Sequence, residues 1–79
     1  MWYVYILKSQ TDQCLYIGST NNIERRLFEH NSGKVDSTKS RIPFVLEAYI
    51  AVKNKEKAIE VERYLKTGSG KGILLKRIL

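Results

Sequence analysis

The sequence predicts a small α/β fold of the α+β kind. A three-stranded, mainly antiparallel sheet is flanked by helices in the order β-β-α-β-α, with a short C-terminal element. Three observations carry this. Trp2 to Leu7 is apolar at every position, which suits a central strand covered on both faces. Two stretches, beginning near Asn22 and Lys55, place apolar residues at helical spacing behind asparagines able to cap them. Between those stretches, Phe44 to Val52 returns to β-branched and aromatic character. The 79 residues leave room for one domain. At that size folding buries only ~60% of the unfolded surface, so one core is expected.

Taken in order, alternation along the first strand puts Tyr3, Tyr5 and Leu7 on one face and Trp2, Val4 and Ile6 on the other. Ser9 to Gln13 reads as a polar loop joining a hairpin to a second strand, Cys14 to Gly18, which Gly18 is expected to break. Asn21 and Glu24 have the spacing of a capping box, so a helix should start near Asn22. It should end near Asn31, with Gly33 supplying the C-cap. On a helical wheel Ile23, Leu27 and His30 fall together, and Arg26 lies beside them. Lys34 to Ile42 has no periodicity and reads as a basic loop in which Ser37, Thr38, Lys39, Ser40 and Arg41 could donate to phosphate.

Pro43 fits the start of the third strand, Phe44 to Val52. Asn54 can cap the second helix, about Lys55 to Lys66, whose apolar stripe is Ala58, Val61 and Leu65. Glu62 falls within the same arc and Glu60 does not. A carboxylate there calls for an Arg or Lys partner, a metal or a cleft, because its desolvation is costly. A structural ion pair with Arg26 or Arg25 is the plain alternative. Gly68 reads as a helix C-cap, and Ile73 to Leu79 as a basic amphipathic tail, either a final helical turn or a strand. Gly70-Lys71 lacks the glycine spacing and the Ser or Thr of a phosphate-binding loop.

Apolar residues at 43% and charged residues at 28% are ordinary for a soluble globular domain. The net charge of +6 points to an anionic partner, with nucleic acid the usual one. Cys14 is the single cysteine, which excludes an internal disulfide or a cysteine-pair zinc site. It is expected as a small buried strand residue. No apolar run is long enough to span a bilayer, and no N-terminal leader is visible. A reducing, cytoplasmic setting beside the nucleoid is therefore expected.

With Tyr5, Tyr16, Gly18, Arg26 and Glu62 placed, the chain resembles the GIY-YIG nuclease superfamily over nearly its whole length. It is most similar to small stand-alone bacterial members, which are similar to the N-terminal nuclease domain of an excinuclease. The motif segments are Tyr3-Val4-Tyr5 and Tyr16-Ile17-Gly18, their tyrosines eleven positions apart as the family pattern expects. Arg26 follows ten positions after Tyr16, His30 one turn later, and Glu62 stands in Ala58-Ile59-Glu60-Val61-Glu62. Tyr3 replaces the first motif glycine, and no Asn follows Gly68 where several members carry one.

The resemblance implies a metal-dependent endonuclease that hydrolyses phosphodiester bonds in DNA, in repair or recombination. It implies Mg²⁺ or Mn²⁺ on Glu62, Arg26 bracing the scissile phosphate, and Tyr5 as general base tuned by Tyr16 and His30. A tyrosine is a poor base at neutral pH, so nearby positive charge is expected to lower its pKa. Candidate nucleic-acid contacts are Gly18, Ser19, Lys34, Lys39, Arg41, Lys66 and Lys71. A protein partner could direct the enzyme to branched or damaged DNA. The rival readings are a nucleic-acid-binding module of the same fold without turnover, and a structural domain.

Overall fold

The central strand β1 (Trp2–Ser9) is apolar on both faces because it is covered on both. The computed structural model describes residues 1–79. In the sheet order β2-β1-β3, strand β1 lies between β2 (Leu15–Thr20) and β3 (Phe44–Val52), antiparallel to each. Helix α1 (Ile23–Asn31) packs on one face of the sheet, where Tyr5, Leu7 and Phe44 form a small core with Leu27, Tyr16 and Ile42 against it. The other face carries the larger core. There Val4, Ile6 and Ile17 meet Ala58 and Leu65 of α2 (Lys55–Leu65) and Leu74 of the C-terminal turn. Each aliphatic side chain removed from water there contributes roughly 1.5–3 kcal/mol. Helix α3 (Gly68–Ile73) and a π-helical turn, Leu74–Ile78, close the chain. No helix is long and apolar enough to cross a membrane.

Several expectations are corrected. Strand β2 does not stop at Gly18 but runs to Thr20, with Gly18 paired opposite Tyr5. Gly18 is glycine because of packing: a Cβ there would collide with the Tyr5 hydroxyl and lie 2.6 Å from Cζ. Asn22, rather than Asn21, caps α1, its extended backbone letting Oδ1 accept from the Arg25 N–H at 3.0 Å. Asn21 Oδ1 accepts from Arg25 Nη2 instead, so there is no capping box. Asn54 caps α2 as expected, accepting from the Lys57 N–H at 2.9 Å.

Gly68 opens a helix instead of closing one. Thr67 is extended, its hydroxyl accepts from the Gly70 N–H at 3.1 Å, and Gly70 packs directly on the backbone of Tyr64 and Leu65. The close approach of α3 to α2 requires a glycine at position 70, although glycine ordinarily weakens a helix. Cys14 is exposed rather than buried, because the strand begins only at Leu15 and the Cys14 N–H is taken by Asp12 Oδ1 in the turn. In β3 the pairing slips by one residue between Ile6 and Leu7, leaving the exposed Glu47 as the extra residue of a bulge. This explains how a carboxylate can interrupt the apolar run.

Candidate active site

Tyr5 leaves the middle of β1 and lies across Gly18, so its phenol reaches the edge strand of the sheet. Its hydroxyl is 3.0 Å from His30 Nε2 and accepts from Arg26 Nε at 3.3 Å. The expected wheel of α1 accounts for this. His30 is the helix's buried residue, and Arg26, one turn earlier, reaches the same hydroxyl from the margin. Tyr16 stacks on Tyr5 with centroids 6.2 Å apart and meets the His30 ring edge-on at 4.9 Å. Phe44 closes the far side of the imidazole at 5.8 Å.

Glu62 approaches from α2. Its side chain is 22% exposed; one oxygen accepts from the Ser19 hydroxyl and the other is 2.7 Å from Lys66 Nζ. The alternative, a structural ion pair between Glu62 and Arg26 or Arg25, is not formed. Arg26 binds Glu29 at 3.1 Å, one helical turn along, while Glu62 takes Lys66. The two sides of the site are nonetheless coupled, because Glu62 and Arg26 both act electrostatically on the Tyr5 hydroxyl.

Burial dominates the titration of this cluster. It pushes the Tyr5 phenol above its ordinary value, outweighing the Arg26 hydrogen bond that lowers it, and Tyr16 and Glu62 add to the rise. The expectation of a lowered tyrosine pKa is therefore corrected: Tyr5 rests protonated. His30 shifts downward, first through burial and then through the Arg26 charge, with Glu29 partly opposing. Hydrogen bonds to Tyr5 and Glu29 push Arg26 upward, so it remains a cation. The site thus holds a neutral imidazole against a neutral phenol beside a fixed positive charge.

Of the proposed nucleic-acid contacts, Gly18 and Ser19 lie in this cluster. Lys66 and Lys71 line a cleft of about 450 Å³ along the outer edge of β2 with Tyr16, Cys14 and Leu15. The loop residues are engaged elsewhere. Lys34 sits over the Phe28 ring at 5.6 Å, Lys39 is 3.7 Å from Asp36, and Arg41 is held by Asp12 at 2.9 Å. Thr38, read from the sequence as a solvated loop residue able to donate to phosphate, is fully buried and lies 2.8 Å from His30 Nδ1. Two partners escaped the sequence reading. Glu29 was legible from its i,i+3 spacing to Arg26, whereas Thr38 lies in an aperiodic loop with no such signal.

No three metal-ligating side chains cluster anywhere in the chain. One carboxylate, backed by a hydroxyl, is a donor set that fits a hard divalent ion keeping most of its waters and sharing substrate phosphate. It does not fit a closed structural metal site.

Comparison with known proteins places the chain in a family. Residues 1–74 match the model of the GIY-YIG catalytic domain. A UPF0213 protein of Vibrio campbellii is 39% identical over 66 residues, covering 82% of this chain and 62% of that protein. One from Staphylococcus haemolyticus is 43% identical over 68 residues, covering 85% and 82% respectively. The solution NMR structure of a UPF0213 protein from Bacillus halodurans superimposes with a TM-score of 0.56 at 38% identity, covering 95% of this chain and 83% of that one. Against the Vibrio relative and one from Nitratidesulfovibrio vulgaris, the matched region spans 62% and 60% of their lengths. Because the family model runs through both tyrosine segments, the Arg26–His30 helix and Glu62, this chain belongs to the GIY-YIG family of nucleases.

Proposed function

We propose that the chain is a metal-dependent endonuclease that hydrolyses phosphodiester bonds in DNA, nicking it with Mg²⁺ or Mn²⁺. The observation that supports this most is the Tyr5 hydroxyl, which meets both an imidazole nitrogen and a guanidinium at the sheet edge. A buried packing tyrosine is satisfied by one partner for its hydroxyl; an imidazole and a guanidinium together suit a hydroxyl that exchanges protons beside an anion.

In this reading water loses a proton to Tyr5 Oη while the phenol passes its own proton to His30 Nε2. The resulting hydroxide attacks phosphorus, the bond to the leaving oxygen breaks, and that oxygen is protonated from solvent. Arg26 commits Nε to Tyr5 and Nη1 to Glu29, which leaves Nη2 to brace a phosphate oxygen as charge builds on it. Glu62, oriented by Ser19, would hold the divalent ion, which supplies charge neutralisation at the phosphate oxygens. Lys66 and Lys71 are the cations beside the cleft, suited to neighbouring phosphates along the strand. A role in DNA repair or recombination accords with such chemistry, and a protein partner would supply targeting.

Nicking of supercoiled plasmid tests the scheme. Tyr5→Phe keeps the ring, removes the hydroxyl, and should slow cleavage by ~10²–10⁴-fold. Glu62→Ala and chelator should each abolish cleavage while plasmid binding persists. Near-wild-type nicking by Tyr5→Phe would reduce that residue to a core aromatic. Plasmid bound but never cut by the wild type would favour the binding-module reading.

A further inference from the structure

The hydrogen-bond chain behind Tyr5 has a direction that follows from its members. Tyr5 Oη already accepts from Arg26 Nε, so its own proton needs an acceptor, and His30 Nε2 at 3.0 Å is the partner within reach. His30 Nε2 must then be bare and Nδ1 must carry the ring proton. Nδ1 faces the Thr38 hydroxyl at 2.8 Å, and that hydroxyl donates onward to the Val35 carbonyl at 3.4 Å. The proton arrangement is therefore consistent from Tyr5 through His30 and Thr38 to the backbone.

We infer that Thr38 is a positioning residue of this site: its buried hydroxyl holds His30 in the tautomer whose Nε2 can take the Tyr5 proton. This rests on the nuclease reading given above. Thr38 and His30 are both fully buried, so neither is free to exchange this partner for water. The loop that carries Thr38 is itself pinned. The Thr38 N–H donates to Val35, the Arg41 N–H donates to the Thr38 carbonyl, and the Arg41 carbonyl accepts from the Ser9 hydroxyl at the end of β1. Besides Thr38, the polar and charged groups around the imidazole are Tyr5 and Tyr16 on the strands and Arg26 and Glu29 on its own helix. None of these others touches Nδ1. Burial and the Arg26 charge also keep the ring neutral at rest, as a proton acceptor must be. When His30 takes the phenol proton, the imidazolium keeps its Nδ1–H bond to Thr38, so the charge forms on a ring already satisfied.

His30 is the only histidine in the chain, so ¹⁵N-histidine labelling reports a single imidazole. The wild type is expected to show a protonated Nδ1 and a bare Nε2. Thr38→Val keeps the shape and removes the acceptor. It should move the proton toward Nε2 and slow plasmid nicking about 10²-fold or more, since a mis-set tautomer can cost a catalytic imidazole about 10⁴-fold. Thr38→Ser should restore both the wild-type imidazole pattern and most of the rate, and plasmid binding in chelator should be equal for all three. Where Thr38→Val fails to fold, Thr38→Ala makes the same comparison. A wild-type ring protonated at Nε2, or a Thr38→Val protein nicking at the wild-type rate, overturns the inference. A wild type that cleaves nothing overturns the nuclease reading instead, and the imidazole pattern still decides independently whether Thr38 sets the tautomer.

Discussion

Replacing Gly18 by alanine probes the coupling between the sheet and the site more sharply than changing a site residue. The new Cβ would lie 2.6 Å from Tyr5 Cζ and 3.1 Å from Cε2. Ordinary carbon contact is about 3.5 Å, so the ring tip must retreat by about 1 Å. The hydroxyl is held to His30 and Arg26 at 3.0 and 3.3 Å, so a displacement of that size is expected to strain or break these bonds. Overpacking costs ~1–3 kcal/mol and the two lost bonds ~0.5–1.5 kcal/mol each. Stiffening the unfolded chain returns ~0.4–1 kcal/mol. With both bonds lost the net is ~1–6 kcal/mol, which for a domain of this size lowers Tm by at least ~4 °C. Cleavage should fall by ~10²-fold or more although every functional group of the site is still present in the sequence. Thermal unfolding by circular dichroism and plasmid nicking measure the two effects. Adding Gly18→Ala to Tyr5→Phe should change the rate little further, because the hydroxyl it displaces is already gone. A Gly18→Ala protein that melts and cleaves like the wild type would refute the account of why this position is glycine.

Gly70→Ala should destabilise without touching the site, since its Cβ would lie 2.6 Å from the Tyr64 carbonyl carbon and 2.8 Å from Leu65 Cα. The expected loss is ~1–3 kcal/mol, read as a lower urea midpoint; an unchanged midpoint would mean that α3 does not pack this closely on α2. His30 gives a pH signature. Its folded pKa lies below the ordinary value of 6.5, so as pH falls from 6.5 toward the folded value the unfolded chain binds more protons and stability is lost. Urea midpoints at about pH 7.5 and about pH 5.5, a window in which typical carboxylates stay ionised, should show this loss in the wild type and less of it in His30→Gln. Equal slopes would place the imidazole in solvent.

Much of the fold was legible because its signals are local. The unbroken apolar run of β1, the β-branched and aromatic stretch Phe44–Val52 and the Asn54 cap each reflect interactions within a few residues, and each element formed where its pattern lay. Arg26, His30 and Glu62 were readable on the inward arcs of their helices, because helical periodicity translates spacing into direction, whereas Tyr5 and Tyr16 were singled out by the family resemblance. What the tertiary structure alone decided involves groups brought together from distant parts of the chain. Gly18 looked like a strand breaker and Gly70 carried no signal, yet each is glycine because another segment presses against it. Thr38 looked like a solvated donor and is a buried partner of His30. Glu62 offered several partners on paper and took Ser19 and Lys66. The direction of the Tyr5 shift follows the same logic: the neighbouring cation was visible in the sequence, but the burial that outweighs it exists only once α1 and the sheet have closed around the phenol.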